Sequence, residues 1–217
     1  MAATKSASGK ERILDAALDL FAARGFENVG VTEIAEAAEV SQPSIHYHFR
    51  NKRGLWEASM QRLAERLDAT TVVQDNLSKA LDPLSALKAA CVILLQTSQQ
   101  SPTLGRIIMA EGQVSSDRLA WLMREVYADS YYRFQELIEA CIEAGAIKPY
   151  KPHQILMLLH GAAVTYFNMA PLVDAVFGED VRARKNASAF QELFMDVLFA
   201  GLAPAQSETQ TNKKGRR

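Results

Sequence analysis

Between Val31 and Trp56 the chain carries two helical segments, each too short to hold its shape alone, separated by a single turn. Val31-Thr-Glu-Ile-Ala-Glu-Ala-Ala38 has helical apolar spacing, with Ile34, Ala35 and Ala38 inward. Glu39-Val40 makes the turn. Ser41 then stands as N-cap to Gln42-Pro-Ser-Ile-His-Tyr-His48, its hydroxyl placed to accept from an unpaired backbone N–H. Pro43 suits the first turn because a backbone nitrogen there has no acceptor to lose. Ile45 and Phe49 form an inward pair at i, i+4, which leaves Gln42, Ser44, His46, Tyr47 and His48 mostly outward. Phe49-Arg50-Asn51 breaks the run before a third helix opens at Lys52-Arg53. Two short helices a turn apart, the second polar and aromatic on its outer face, predict a helix-turn-helix whose second helix enters a DNA major groove.

From Ser41 to Trp56 there are three cations, Arg50, Lys52 and Arg53, and no acid. A helix-turn-helix that docked a partner protein would not need that charge, and salt-dependent binding to random DNA separates the two readings. The net charge of -1 does not weigh against DNA binding, because local potential on the docking face is what counts.

The segment Gln42 to Trp56, preceded by a helix ending Phe21-Ala-Ala-Arg-Gly-Phe26, resembles the N-terminal domain of the tetracycline-repressor (TetR) family, strongly from about Glu11 to Leu67. The resemblance implies base-reading and phosphate-contacting roles for Thr32, Gln42, Pro43, Ser44, His46, Tyr47, His48 and Lys52, with the Ser41 cap beside them. Lys52 opens a helix whose N–H dipoles and ammonium together attract a phosphate. Three positions depart from the family pattern. Gly30 stands where Thr or Ser usually caps, Glu39 where the turn usually has Gly, and His46 where Tyr is usual. Glu39 is therefore expected to take a left-handed conformation, at a cost of about 1 kcal/mol.

The remainder reads as helical throughout, giving an all-α chain of about nine helices: a three-helix DNA-binding domain and a C-terminal helical bundle domain. The expected divisions are a disordered arm over 1–9, the helix-turn-helix domain over 10–56, an effector-binding and dimerisation domain over 57–203, and a disordered basic tail over 204–217. The tail combines a Gln/Ser/Thr-rich stretch, Ala205 to Asn212, with Lys213-Lys-Gly-Arg-Arg217. Ile13, Ala17, Leu20 and Phe21 form the stripe of the first helix, stopped at Gly25. Lys52 to about Asp75 should be one long helix carrying Leu55, Leu63 and Leu67. A long uninterrupted helix is expected over Ser116 to Ala144, and two more over Pro152 to Phe177 and Val181 to Leu202.

His160-Gly-Ala-Ala-Val-Thr165 is a run of small residues that lets another helix approach, and the apolar arc from Phe190 to Leu202 is too wide for one neighbour to cover. A second subunit is the simplest cover. The expectation is a homodimer through the last two helices, paired as a four-helix bundle over Ala162, Thr165, Phe190, Phe194, Val197 and Leu198; the family resemblance implies the same. Aromatic and soft side chains among isolated polar groups mark Met109, Trp121, Met123, Tyr127, Tyr131, His160 and Phe167 as candidate lining of a pocket for a small hydrophobic or aromatic effector. That such a pocket exists is what the resemblance implies.

Enzymatic motifs are missing: there is no Gly-rich phosphate loop, nucleophile elbow, His-Glu-x-x-His or Cys-x-x-Cys. His46 and His48 point roughly 200° apart on a helix and cannot share a metal, so no metal and no cofactor is expected. Cys91 and Cys141 read as reduced core residues of a cytoplasmic protein. No signal-peptide pattern and no apolar run of ~20 residues is present. Together these readings describe a regulator bound to a palindromic double-stranded operator and released by a small molecule. The alternatives left open are an activator, or a partner-controlled regulator without a ligand.

Overall fold

The computed structural model describes residues 8–204, and for 67–79 the backbone alone. The expected N-terminal arm up to residue 7, the tail from 205 and the Leu67 side chain lie outside the described residues. Ten helices and no strand occur among the described residues. They are α1 (Gly9–Arg24), α2 (Val31–Ala37), α3 (Gln42–Phe49), α4 (Lys52–Ala80), α5 (Pro83–Gln100), α6 (Pro102–Glu111), α7, α8 (Pro152–Asn168), α9 (Ala170–Phe177) and α10 (Arg184–Leu202). Helix α7 has three parts: Asp117–Leu122, a π turn over Met123–Tyr127, and Ala128–Glu143.

Helix α1 starts earlier than the expected arm allows. Ser8 Oγ accepts from the Glu11 N–H while the Glu11 carboxylate accepts from the Ser8 N–H at 2.7 Å, a reciprocal cap that draws residues 8 and 9 into the helix. Gly25, at φ 75, ends it. Asp82 accepts from the Leu84 and Ser85 N–H groups at the start of α5, and Ser116 from Leu119 at the start of α7.

Two differences from the sequence reading concern continuity. The expected helix over Pro152 to Phe177 is broken at Met169, and α8 and α9 meet at 62°. Pro171 has no N–H to bond back to Phe167, so the α-helix cannot continue through it. The expected Ser116–Ala144 helix is continuous but holds the π turn, in which the Ala128 N–H reaches the Met123 carbonyl. No single helix among the described residues is long and apolar enough to cross a membrane.

Two apolar clusters hold the fold. The first contains Ile13, Ala17, Leu18, Phe21, Ile34, Ile45, Phe49, Leu55, Trp56 and Met60, and also Ile107, Leu122 and Tyr127 from α6 and α7. The core of the DNA-binding domain therefore crosses the expected boundary at residue 56. Asp15 accepts from Arg62 at 2.9 Å and from Arg66, which ties α1 to α4. The second cluster gathers Leu87, Cys91, Leu95 from α5, Ile138 and Cys141 from α7, and Leu159, Phe167, Phe194 and Leu198 from α8 and α10. Both cysteines are free and buried, and burial pushes their thiols up to about 12 and about 11, so neither offers a thiolate.

Candidate nucleic-acid interface and second-domain cavity

Local contacts fix the angle at which α3 is presented. The Arg12 guanidinium donates to the Ala38 carbonyl, and Arg24 pairs with Glu33 and donates to the Asn28 carbonyl, so α2 is strapped to α1. The turn between α2 and α3 carries Glu39 at φ 53, a left-handed residue at the place where the sequence implied one. Asn51 caps α4, its side-chain oxygen accepting from the Gly54 N–H at 2.8 Å. Gly54 itself is required by close approach. A Cβ there would lie 2.5 Å from the Phe49 carbonyl oxygen, so any larger residue would push α4 away from the end of α3. Sequence reading passed over both Gly54 and the second left-handed residue, Arg50 at φ 63, since neither follows a turn motif.

With Ile45 and Phe49 buried, the outer face of α3 is open. Thr32, Ser41, Gln42, Pro43, His46, Tyr47 and His48 are exposed, Tyr47 at 85 %, while Ser44 and Lys52 are half-buried. Ser41 takes the N-cap position, yet its hydroxyl does not cap: it lies 2.8 Å from the Ser44 hydroxyl, and the two satisfy each other. The Thr32 hydroxyl donates to the Gln42 side-chain oxygen at 3.3 Å, which leaves the Gln42 amide N–H groups outward. Gly30 caps α2 without a side-chain bond. Lys52 is turned inward, its ammonium 3.4 Å from the Glu27 carbonyl and 4.4 Å from the centre of the Phe26 ring. Arg53 pairs with Glu57 and lies over Trp56. Arg50 is exposed at the end of α3 and makes no ion pair among the described residues.

The second domain encloses a cavity of about 360 Å³ between α4, α5, α6, α7 and α8. Ile93, Leu94, Leu104, Ile108, Phe134 and Leu156 make its apolar walls, and Thr97, Ser130 and His160 bring polar atoms to it. Of the seven residues expected there, Tyr127, Tyr131 and His160 line it. The other four are elsewhere. Trp121 packs on Trp56 with ring centroids 5.5 Å apart, and Met123 packs against the first cluster. Met109 is exposed at the surface, and Phe167 is inside the second cluster. For Trp121 and Met123 the π turn matters, because it offsets the two halves of α7; Met109 and Phe167, on α6 and α8, simply face other neighbours. Burial holds the His160 imidazole below its ordinary range, and the ring lies 5.9 Å from that of Tyr131. No group of three or more metal-ligating side chains occurs among the described residues.

A groove of about 510 Å³ runs between α8 and α10, lined by Tyr150, Leu158, Ala162, Leu193, Val197 and Gly201 among others. Of the six residues expected at a subunit interface, Ala162 and Val197 are exposed, and Thr165 and Phe190 are half-buried. Phe194 and Leu198 are buried at 6 % and 7 % in the protomer's own second cluster and form only the floor of the groove. The apolar side chains that stand outward on these helices are Met157, Leu158, Leu193 and Val197, of which sequence reading named only Val197 as an interface residue.

An all-helical chain with a buried scaffold behind an exposed, polar α3 is a helix-turn-helix DNA-binding protein of the transcriptional-regulator class. The family models agree: residues 13–59 match "Bacterial regulatory proteins, tetR family", and residues 83–198 match "Tetracyclin repressor-like, C-terminal domain". The chain belongs to the TetR family of transcriptional regulators. It is 27 % identical over 198 residues to the HTH-type transcriptional regulator RutR of Escherichia coli K12, covering 90 % of this chain and 91 % of that one. The fold is similar to that of the ketosteroid transcriptional regulator KstR2 of Mycobacterium tuberculosis, with a TM-score of 0.68, 16 % identity and coverage of 94 % and 100 %. It is also similar to that of a transcriptional regulator from Saccharomonospora viridis solved in complex with choline, at a TM-score of 0.65, 17 % identity and coverage of 90 % and 98 %. These relatives are regulators and not enzymes.

Proposed function

We propose that this chain is a homodimeric repressor, released from a palindromic operator when a small, mainly apolar molecule occupies the cavity of its second domain. The observation that carries the reading is the cavity's position. Ala64, on the helix that begins at the DNA-binding domain, is part of its wall, as is Tyr127, which belongs to the apolar cluster of that domain. A molecule that fits one arrangement of these helices better than another shifts the population of both domains together. On the DNA side, Gln42 reads a base edge with its outward amide, helped by Ser44, His46, Tyr47 and His48, while Arg50, Thr32 and Lys52 meet phosphates. Lys52 must leave Phe26 to do so. Support for an effector also comes from the family, whose members bind operators and small molecules as dimers.

The groove supports dimerisation through α8 and α10, with Leu158, Leu193 and Val197 as its outward apolar contacts. The double variant Leu193→Asp with Val197→Asp should be a folded monomer by sedimentation, because both side chains are exposed in the protomer and only the interface would desolvate them. An intact dimer would move the interface elsewhere.

Effector control is tested by titrating compounds that raise the thermal stability of the protein into its complex with an operator selected from random duplex DNA. At least one should release the DNA, and Ser130→Trp, which fills the cavity from α7, should abolish both stabilisation and release while leaving DNA binding intact. If every stabilising compound leaves operator affinity unchanged, the repressor is not ligand-responsive.

A further inference from the structure

Helix α7, like α4, touches both functional regions. The first turns of α7 grip the DNA-binding domain at three points. The Arg118 guanidinium donates to Glu27, in the loop after α1, at 2.7 Å and to the buried Glu111 at 3.1 and 3.2 Å, and it lies 4.3 Å from the centre of the Phe26 ring. The Asp117 carbonyl accepts from Arg53, and Trp121 rests on Trp56. Further along, the same helix is the cavity wall, through Tyr127, Ser130, Tyr131 and Phe134. The π turn joins the grip to the wall, and its last residues, Glu125, Val126 and Tyr127, already line the cavity.

A π turn holds one residue more than an α turn. Resolving it into regular helix turns one half of α7 against the other by about 100° and moves it about 1.5 Å along the axis. Either change is large beside the tolerances of the Arg118 and Trp121 contacts. The turn ends at Tyr127, which is 5 % exposed and whose hydroxyl is shut away from solvent with no hydrogen-bond partner among the described residues. A buried hydroxyl left unpaired is uncommon and destabilising. The Tyr127 ring lines the cavity, but its shielded hydroxyl can gain a partner there only if the residue moves, and it stands where the π turn closes.

We propose that the π turn of α7 is the joint by which the cavity is coupled to the DNA-binding domain, and that the Tyr127 hydroxyl is its trigger. The ligand that works it is an uncharged, mainly apolar molecule bearing one hydrogen-bond acceptor, such as a ketone oxygen. Of the charged groups lining the cavity, Glu125 and Asp129 are exposed, Arg133 is half-buried and already engaged within the protein, and the walls further in are apolar, so the cavity favours an uncharged, mainly apolar molecule. The proposal rests on reading the cavity as the effector site.

Benzophenone and diphenylmethane differ only in a carbonyl against a methylene, and both are probes for the full-length protein. Wild type should bind benzophenone at least tenfold more tightly than diphenylmethane. Saturation with benzophenone should change amide hydrogen exchange over both 123–127 and 117–122. Tyr127→Phe loses only an unpartnered hydroxyl, so it should keep or gain thermal stability, bind the two probes equally, and show no exchange change at 117–122. Failure of benzophenone to bind, or the same preference in wild type and Tyr127→Phe, would overturn the trigger. Bound benzophenone that leaves exchange at 117–122 unaltered in wild type would overturn the joint, whatever the variant does. If exchange changes as expected but operator affinity does not, the joint stands and it is the ligand-responsive repressor that fails.

Discussion

Of the fourteen large hydrophobic side chains exposed among the described residues, Tyr47 is in the DNA-binding domain and the other thirteen lie from Leu81 onward. The first domain is closed: its apolar groups are inside, α1 and α4 are capped, α2 is strapped to α1, and its exposed rings, His46, Tyr47 and His48, stand on the face proposed to read DNA. The second domain is open in two places, a 360 Å³ cavity within it and a 510 Å³ groove along its outer helices. A surface that must match a fixed groove geometry gains from rigidity, because every loosened degree of freedom has to be ordered again on binding. A domain that answers a ligand and pairs with a twin has to leave space and apolar surface unfilled. Both demands meet at the shared wall of α4 and α7.

Removing the central contact of that wall should have the largest effect. Trp56 is 1 % exposed, touches Phe26 and Trp121, and belongs to the first cluster. Trp56→Ala should cost about 3–5 kcal/mol in chemical denaturation. It should also split the single unfolding transition, because the two regions would lose the ring that joins them. One cooperative transition with a loss below about 1 kcal/mol would show that the domains are stabilised independently of each other.

A smaller effect, of opposite sign, is expected within the closed region. Glu39 is held at φ 53, where a Cβ is unfavourable, so Glu39→Gly should stabilise the protein by about 0.5–1 kcal/mol. A loss on substitution would mean that the Glu39 side chain contributes more than its backbone strain removes.

The smallest effect sharpens the contrast from the open side. Burial holds the folded pKa of His160 below its ordinary value of 6.5, so protonation favours the unfolded chain. Stability from this residue is therefore complete above the ordinary value and is lost as pH falls from there toward the folded value. The melting temperature should drop as pH falls below the ordinary histidine value of 6.5, and His160→Asn should flatten that part of the profile. An unchanged profile would mean that the imidazole is as well solvated folded as unfolded.

What could be read from the sequence follows from how local the cause was. The short helices, the turn at Glu39 and the inward faces of α2 and α3 depend on residues within a few positions of one another, and all are present in the fold. The cavity lining depends on which side of α7 faces which neighbour. Trp121 and Met123 pack only on the first cluster, whereas Tyr127, at the end of the π turn, and Tyr131, beyond it, touch that cluster and also line the cavity. Nothing in Met123-Arg-Glu-Val-Tyr127 marks a π turn, whereas Ala170-Pro171 did carry the signal for the break after α8. Phe194 and Leu198 illustrate a further limit. An apolar arc shows that a helix is covered widely, but not which part of it is covered by its own chain.

The central claim is that the outer face of α3 reads duplex DNA, and binding-site selection combined with salt titration tests it most directly. Wild type should recover one family of related sequences from random duplex DNA, with an affinity that falls steeply as salt rises. Gln42→Ala should cost about 1–3 kcal/mol, relax the preference at a single base pair of each half-site, and leave the salt slope unchanged. A wild-type protein that recovers no common sequence, or a Gln42→Ala variant that weakens equally on every sequence with a shallower salt slope, would contradict the account.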